Sequence, residues 1–397
     1  MKTCIYCGFD KEDDDFSDEH IWPDALGGDH LSPFWRTDDV CRSCNTLSGV
    51  FVDGAFIKSW AGAAERAIGS HEHLAVNSPE SAVLPLNYIG KIPNAAINNG
   101  EVAEFWIGPC GAHIVHIRPE DNDEAWKTYA GGDPRRSRKR SAGRVYMALT
   151  SNVPFWIVVS LASFNAHFRR ADRFVTNMAA PPGADFKNPD RTNPEQANDM
   201  ALMDTIRSAG QTGEFIHTQH VVSLDLGGRL LSKLGLAIGY KLFGGRFFDI
   251  EYAKILRAGF REANPEKRRT IPVKGTGFLQ QESLGGAEAV MKWPGAWVLL
   301  LKVVGAALVL TVITPSSRTM SVVICEDSKL LAELDPAYTD GQTWLTIPSL
   351  GEAAGPIPLP SYLGHQTNSY PLAELVALAS KRINPDTLPP CMQQTEE

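Results

Sequence analysis

Two cysteine pairs, Cys4-Ile5-Tyr6-Cys7 and Cys41-Arg42-Ser43-Cys44, constrain this chain more than any other feature. A C-x-x-C turn presents two thiolates to one tetrahedral ion, and two such turns complete a four-sulfur zinc site. Closed four-thiolate ligation leaves no open position, so a zinc ion here is structural. The remaining cysteines, Cys110, Cys325 and Cys391, are single, and an odd total with paired spacing fits reduced thiols and a metal better than a disulfide framework. The first residues run straight into the cysteine motif with no apolar signal region, which gives the expectation of a cytoplasmic protein.

The segment between the pairs is longer than a minimal zinc ribbon and holds the chemistry-bearing residues. It reads Asp18-Glu19-His20-Ile21-Trp22-Pro23, then Leu26-Gly27-Gly28; Asn45 directly follows the second pair, with Gly49 and Asp53 beyond. On these residues the chain resembles the HNH endonucleases, the ββα-metal nucleases. More narrowly it is similar to the subset with an E-H-I-x-P-x-x-L-G-G segment between two C-x-x-C knuckles, the second followed by Asn. The resemblance covers roughly residues 1–55.

The resemblance implies a hairpin carrying Glu19 and His20, packed on a helix that starts near Asn45. It implies His20 as general base on the attacking water, with Glu19 and Asn45 as ligands of a catalytic Mg²⁺ or Mn²⁺ ion. The middle Asn of the family name has no counterpart in residues 35–40, where Thr37 or Asp38 stands in its place. The chemistry agrees independently. Phosphodiester hydrolysis needs an activated water and neutralisation of the charge that grows on the phosphate. A neutral imidazole can accept a proton at physiological pH. Zinc on soft sulfurs and magnesium on hard oxygens coexist because ligand softness separates them.

A blander reading is a zinc ribbon that binds nucleic acid or protein with an inactive nuclease site; the missing Asn keeps it open. Asp53 reads as support for the helix after the second knuckle, and Asp29-His30 as part of a Gly-rich turn. His113 and His116 fall on opposite faces of a strand, which argues against a shared metal.

Beyond the module, composition is that of a globular chain: 397 residues, 43% hydrophobic and 21% charged. The expected fold class is α+β, a zinc-clamped ββα-metal module over 1–60 followed by one or two α+β domains of unknown type, divided as 61–200 and 201–397. Strands are expected at 105–108 and 113–117, and strand-like character over 153–164. A short helix is expected over 60–68, a loop over 179–200, two helices within 227–262, and a helix over 372–383. Residues 296–314 approach the length of a membrane span, but Lys302 and Gly305 interrupt them; they read as two buried strands joined at Gly305-Ala306-Ala307.

The net charge of −8 excludes a chain that coats nucleic acid through bulk charge, though not a local basic groove. Residues 133–144 hold such a run: Arg135, Arg136, Arg138, Lys139 and Arg140 read equally well as a phosphate-tracking loop or a solvated one. The expected partner is DNA, with RNA not separated from it, since both present the same phosphate. Phosphate contacts position a small module without specifying sequence, so the C-terminal region is expected to sense a DNA modification, a partner protein or a ligand. Restriction or anti-phage defence is what the resemblance implies for a protein of this layout. If the basic run tracks phosphate, neutralising its five cations together flattens the salt dependence of duplex binding; an unchanged slope of affinity against salt makes it a solvated loop.

Overall fold

The computed structural model describes residues 1–73, 83–123, 126–133, 143–151, 154–168, 173–176, 194–223, 225–279 and 287–382. The basic run at 135–140, residues 179–193 and Cys391 lie outside them. The chain divides into two compact units that are discontinuous in sequence. Among the described residues, one draws on 1–57, 68–73 and 223–382, the other on 58–67 and 83–222. The linear division expected at 60 and 200 therefore differs from the observed units. The cysteine module belongs to the same compact body as residues 223–382.

The reason is apolar surface. The N-terminal module buries Trp22 and Trp35 completely, yet it is too small to cover them alone. A six-stranded antiparallel sheet covers them, ordered Gly275–Thr276, Thr319–Cys325, Ala307–Ile313, Trp297–Val304, Gln342–Ile347 and Glu352–Pro358. Side chains alternate between the faces of a strand. Trp297, Leu299, Trp344 and Thr346 share one face by register. On that face Trp22 packs against Trp297 at 5.5 Å between ring centroids, and Phe34 stacks on Trp344 at 5.3 Å. The other face, with Val298, Leu300, Ile313, Leu345 and Ile347, packs on Tyr362, Leu375 and Leu378 of the C-terminal helices Leu359–Gln366 and Ala373–Ala379. Covered on both faces, Gln342–Ile347 is buried along its whole length.

Residues 296–314 form the two expected strands, Trp297–Val304 and Ala307–Ile313, hairpin partners around a left-handed Gly305. Among the described residues no helix is long and apolar enough to cross a membrane. The helices Gly228–Phe243 and Glu251–Arg261 fall within the expected helical stretch, and Gly244 ends the first with a positive φ of 60°. Gly235 allows the two helices to pack closely: a Cβ there would lie 3.1 Å from Leu256 and 3.6 Å from Val322 of the sheet.

The second unit is built on a five-stranded sheet in sequential order: Asn87–Lys91, Glu101–Ile107, His113–Pro119, Arg144–Ala148 and Arg173–Thr176. The last pair is parallel, and helix Pro154–Phe168 makes the crossover that a parallel pair requires. That helix corrects the strand-like expectation over 153–164. The β-branched run suggested a strand, but burial at Val159, Ser160, Ser163, Phe164 and Phe168 follows a helical period, and a proline opens the helix where its missing N–H costs nothing. The two faces of the sheet carry separate cores, one with Trp106, Ile114 and Phe164, the other with Phe105, Val115 and Met203. His116 and His113 sit on opposite faces as expected: His116 packs at 5.0 Å on Phe168, and His113 at 5.7 Å on Phe105.

Glu104 is fully buried in this unit. It takes a 2.8 Å bond from Arg118 and lies 3.3 Å from His116 Nδ1. Burial alone raises a carboxyl's pKa; Arg118 and His116 override it and hold Glu104 down at about 2. The stability this contributes is present above the unfolded carboxylate value of about 4.3 and is lost as pH falls through the folded one. Arg118→Met leaves the carboxylate uncompensated and destabilises the unit by about 3–5 kcal/mol at neutral pH. The deficit narrows in acid, where protonation removes the stranded charge. Denaturant melts of both proteins at pH 7 and pH 4 check this; equal stability at pH 7 contradicts it.

Candidate active site and zinc clamp

The first knuckle hangs from a short ribbon, Lys2–Thr3 paired with Asp10–Lys11. The turn closes through Cys4 N–H to Phe9 O at 3.0 Å and Gly8 N–H to Cys4 O at 2.7 Å, with Gly8 in the left-handed region at φ 74°. The second knuckle spans a strand–helix junction: Cys41 ends strand Arg36–Cys41 and Cys44 lies in the first turn of helix Arg42–Ser48. The four Sγ atoms all lie within 4.8 Å of one another. Cys41 N–H points at Cys4 Sγ at 3.3 Å, and Ile5 N–H bonds Asp39 O at 3.0 Å. A hydrogen bond from the Cys44 thiol, aided by backbone N–H groups, outweighs burial and holds Cys4 down at about 4. Convergent sulfurs with a stabilised thiolate fit a structural zinc ion.

Strand Phe16–His20 pairs antiparallel with Arg36–Cys41, and helix Arg42–Ser48 follows directly, giving the ββα order. The register sets Phe16 against Cys41 and His20 against Arg36, with a bulge between Ser17 and Glu19. Between the strands the chain turns back through Leu26-Gly27-Gly28. Gly27 is left-handed at φ 88°, and a Cβ there would lie 2.0 Å from Thr346 Oγ1; one on Gly28 would lie 2.0 Å from the Trp22 carbonyl. Only glycines let the loop turn this tightly against the sheet.

The turn returns Asp29 to His20. Asp29 Oδ1 lies 2.7 Å from His20 Nε2 and accepts from Arg36 Nη2 at 2.5 Å. His20, Asp24 and Asp29 offer ligand atoms within 4.8 Å of one another. The His20, Asp29 and Arg36 side chains are 26%, 48% and 38% exposed, so a large substrate can reach them. Partial burial, then a hydrogen bond with Asp29, pushes Asp24 up, while the His20 bond chiefly holds Asp29 down. Two carboxylates and an imidazole converging on one point offer the hard oxygen and nitrogen donors that a divalent cation takes.

The other expected site residues are placed differently. Glu19 projects to the opposite side of the strand from His20 and is only 4% exposed; its Oε1 lies 2.8 Å from Lys233 Nζ and accepts from Tyr6 Oη at 3.3 Å. Burial pushes its carboxyl up. Asn45 Nδ2 ties the helix to the hairpin, donating to Ser17 Oγ at 3.0 Å and the Asp18 carbonyl at 2.8 Å. Thr37 bonds within its own strand to Asp39, and Asp38 pairs with Lys2 at 3.2 Å. Neither Glu19 nor Asp38 belongs to the His20, Asp24 and Asp29 group. Asp24 is not singled out by the sequence and Asp29 reads there as part of a Gly-rich turn; their signal is an acid four and nine residues after His20, on either side of the Gly-Gly pair.

Residues 4–61 match the HNH endonuclease family model. The HNH match thus covers both knuckles, the hairpin and the helix. No curated protein and no solved structure matches the chain.

Cys41→Ser removes one of the four sulfurs and leaves the Cys41 backbone N–H to Cys4 Sγ in place. It releases the zinc and melts the HNH module, because structural zinc contributes folding free energy directly. Zinc stoichiometry and thermal melting check this; wild-type values for both refute the four-thiolate clamp.

Proposed function

We propose that the HNH module is a metal-dependent DNA endonuclease in which His20 is the general base. The observation that carries this reading is the 2.7 Å contact of His20 Nε2 with Asp29, at the open end of the hairpin beside Asp24. When Nε2–H is donated to Asp29, Nδ1 is left as the acceptor. It takes the proton of a water that attacks the phosphorus, and Asp29 stabilises the imidazolium that forms. Arg36, bonded to both the side chain and the carbonyl of Asp29, holds that carboxylate in place. Asp24 and Asp29 would hold a Mg²⁺ or Mn²⁺ ion, whose chemistry is to neutralise charge on the phosphate and its leaving oxygen. In this proposal Glu19 and Asn45 are structural, which replaces the ligand set that the resemblance implied. The defence setting, and DNA rather than RNA as the substrate, rest on the resemblance.

A second reading is a nucleic-acid-binding module without hydrolysis. The engagement of Glu19 and Asn45 in structural contacts favours it.

Supercoiled plasmid incubated with the full chain and Mg²⁺ or Mn²⁺ is nicked, and EDTA stops the reaction. His20→Ala abolishes nicking with zinc retained, and Asp29→Asn, which weakens both the orientation of His20 and the ion site, lowers the rate by at least about 10–100-fold. Cleavage retained in His20→Ala sinks the assignment. Binding without cleavage under either ion supports the second reading.

A further inference from the structure

Lys233 lies outside the HNH match, on helix Gly228–Phe243, and its ammonium is completely buried. It has three acceptors: Glu19 Oε1 at 2.8 Å, Asp53 Oδ2 at 2.8 Å and the His20 carbonyl at 2.9 Å. An ammonium has three N–H groups, so each has one partner. Packing alone does not call for lysine here, since a neutral side chain would fill the space without the cost of dehydrating a charge. Two turns further on, Lys241 Nζ donates to the carbonyl of Arg36 at 2.9 Å. Arg36 is the cross-strand partner of His20 and the residue whose guanidinium holds Asp29. One helix thus grips the backbone on both sides of the His20–Asp29 pair.

We infer that Lys233 is a positioning residue for His20, fixing the strand end from which the imidazole projects toward Asp29. The inference rests on the reading of His20 as general base. Its consequence is that the match at 4–61 is not self-sufficient. The counter-ion of Glu19 and Asp53, and the donor to the His20 carbonyl, come from a helix 213 residues away in sequence from His20. A carbonyl displaced by a fraction of an ångström carries its side chain with it, and misplacement of about 1 Å in a catalytic constellation costs on the order of 100-fold in rate.

The test uses the full chain. Lys233→Met alone strands two buried carboxylates and risks unfolding, so it is made in the Asp53→Asn background. There Glu19, already pushed up by burial, can become neutral. Asp53→Asn alone keeps the ammonium and serves as the reference. Histidine side-chain NMR, with the His20 signals assigned by their loss in His20→Ala, reads the imidazole independently of activity. The expected result is His20 signals at wild-type positions in Asp53→Asn and displaced in Asp53→Asn/Lys233→Met. The plasmid-cleavage kcat of the double variant is at least tenfold lower than that of Asp53→Asn, with KM and zinc content unchanged. A folded, zinc-loaded double variant with reference His20 signals and the reference kcat overturns the inference. So does a double variant that fails to fold while Asp53→Asn folds, because Lys233 is then a stability element. If the wild type cleaves nothing, the nuclease reading fails, and the NMR comparison still decides the role of Lys233.

Discussion

The four-thiol clamp is the constraint on which the N-terminal architecture depends. It joins the Cys4–Cys7 turn to the point where strand Arg36–Cys41 becomes helix Arg42–Ser48. Because Cys41 pairs with Phe16, the same junction sets the register of the strand that ends at His20. A module of about 55 residues has little core of its own, and metal ligation supplies what apolar burial cannot. Zinc chemistry and the proposed hydrolytic chemistry are thereby separated in space and in ligand type, sulfur for one and oxygen and nitrogen for the other.

The clamp does not finish the module. Trp22 and Trp35 need the sheet face carrying Trp297 and Trp344, and the loop carrying Asp24 and Asp29 closes against Thr346, whose hydroxyl bonds the Gly27 carbonyl at 3.1 Å. The buried carboxylates Glu19 and Asp53 need Lys233. Each of these partners comes from residues 223–382. The module and residues 223–382 are one folding body for that reason, and helix Gly228–Phe243 bonds the backbone of both His20 and Arg36.

Much of the site was legible in sequence because its chemistry is local. Two C-x-x-C turns announce a tetrahedral ion by spacing alone, and His20 stands in an ordered motif. The convergence of Asp24 and Asp29 on His20 was not legible. Their approach to His20 depends on a left-handed Gly27 wedged against Thr346, more than three hundred residues away in sequence. The resemblance makes Glu19 a metal ligand; in the fold its side chain points away from His20 and pairs with Lys233, a partner that no local pattern supplies. Lys233 left only a faint trace, one cation amid the buried Leu230, Leu231, Leu234 and Leu236. Residues 153–164 illustrate the opposite failure: apolar, β-branched composition was read as a strand, whereas length, the opening proline and the need for a parallel crossover made a helix.

In the proposed reading, hydrolytic chemistry is centred on His20 with its divalent ion at Asp24 and Asp29. Anomalous scattering from crystals of the full chain soaked in Mn²⁺ tests it most directly, since zinc and manganese edges distinguish the two metals. The account predicts zinc among Cys4, Cys7, Cys41 and Cys44, and manganese on Asp24 and Asp29 beside His20. Manganese on Glu19 and Asn45, with Lys233 displaced from Glu19, would contradict it.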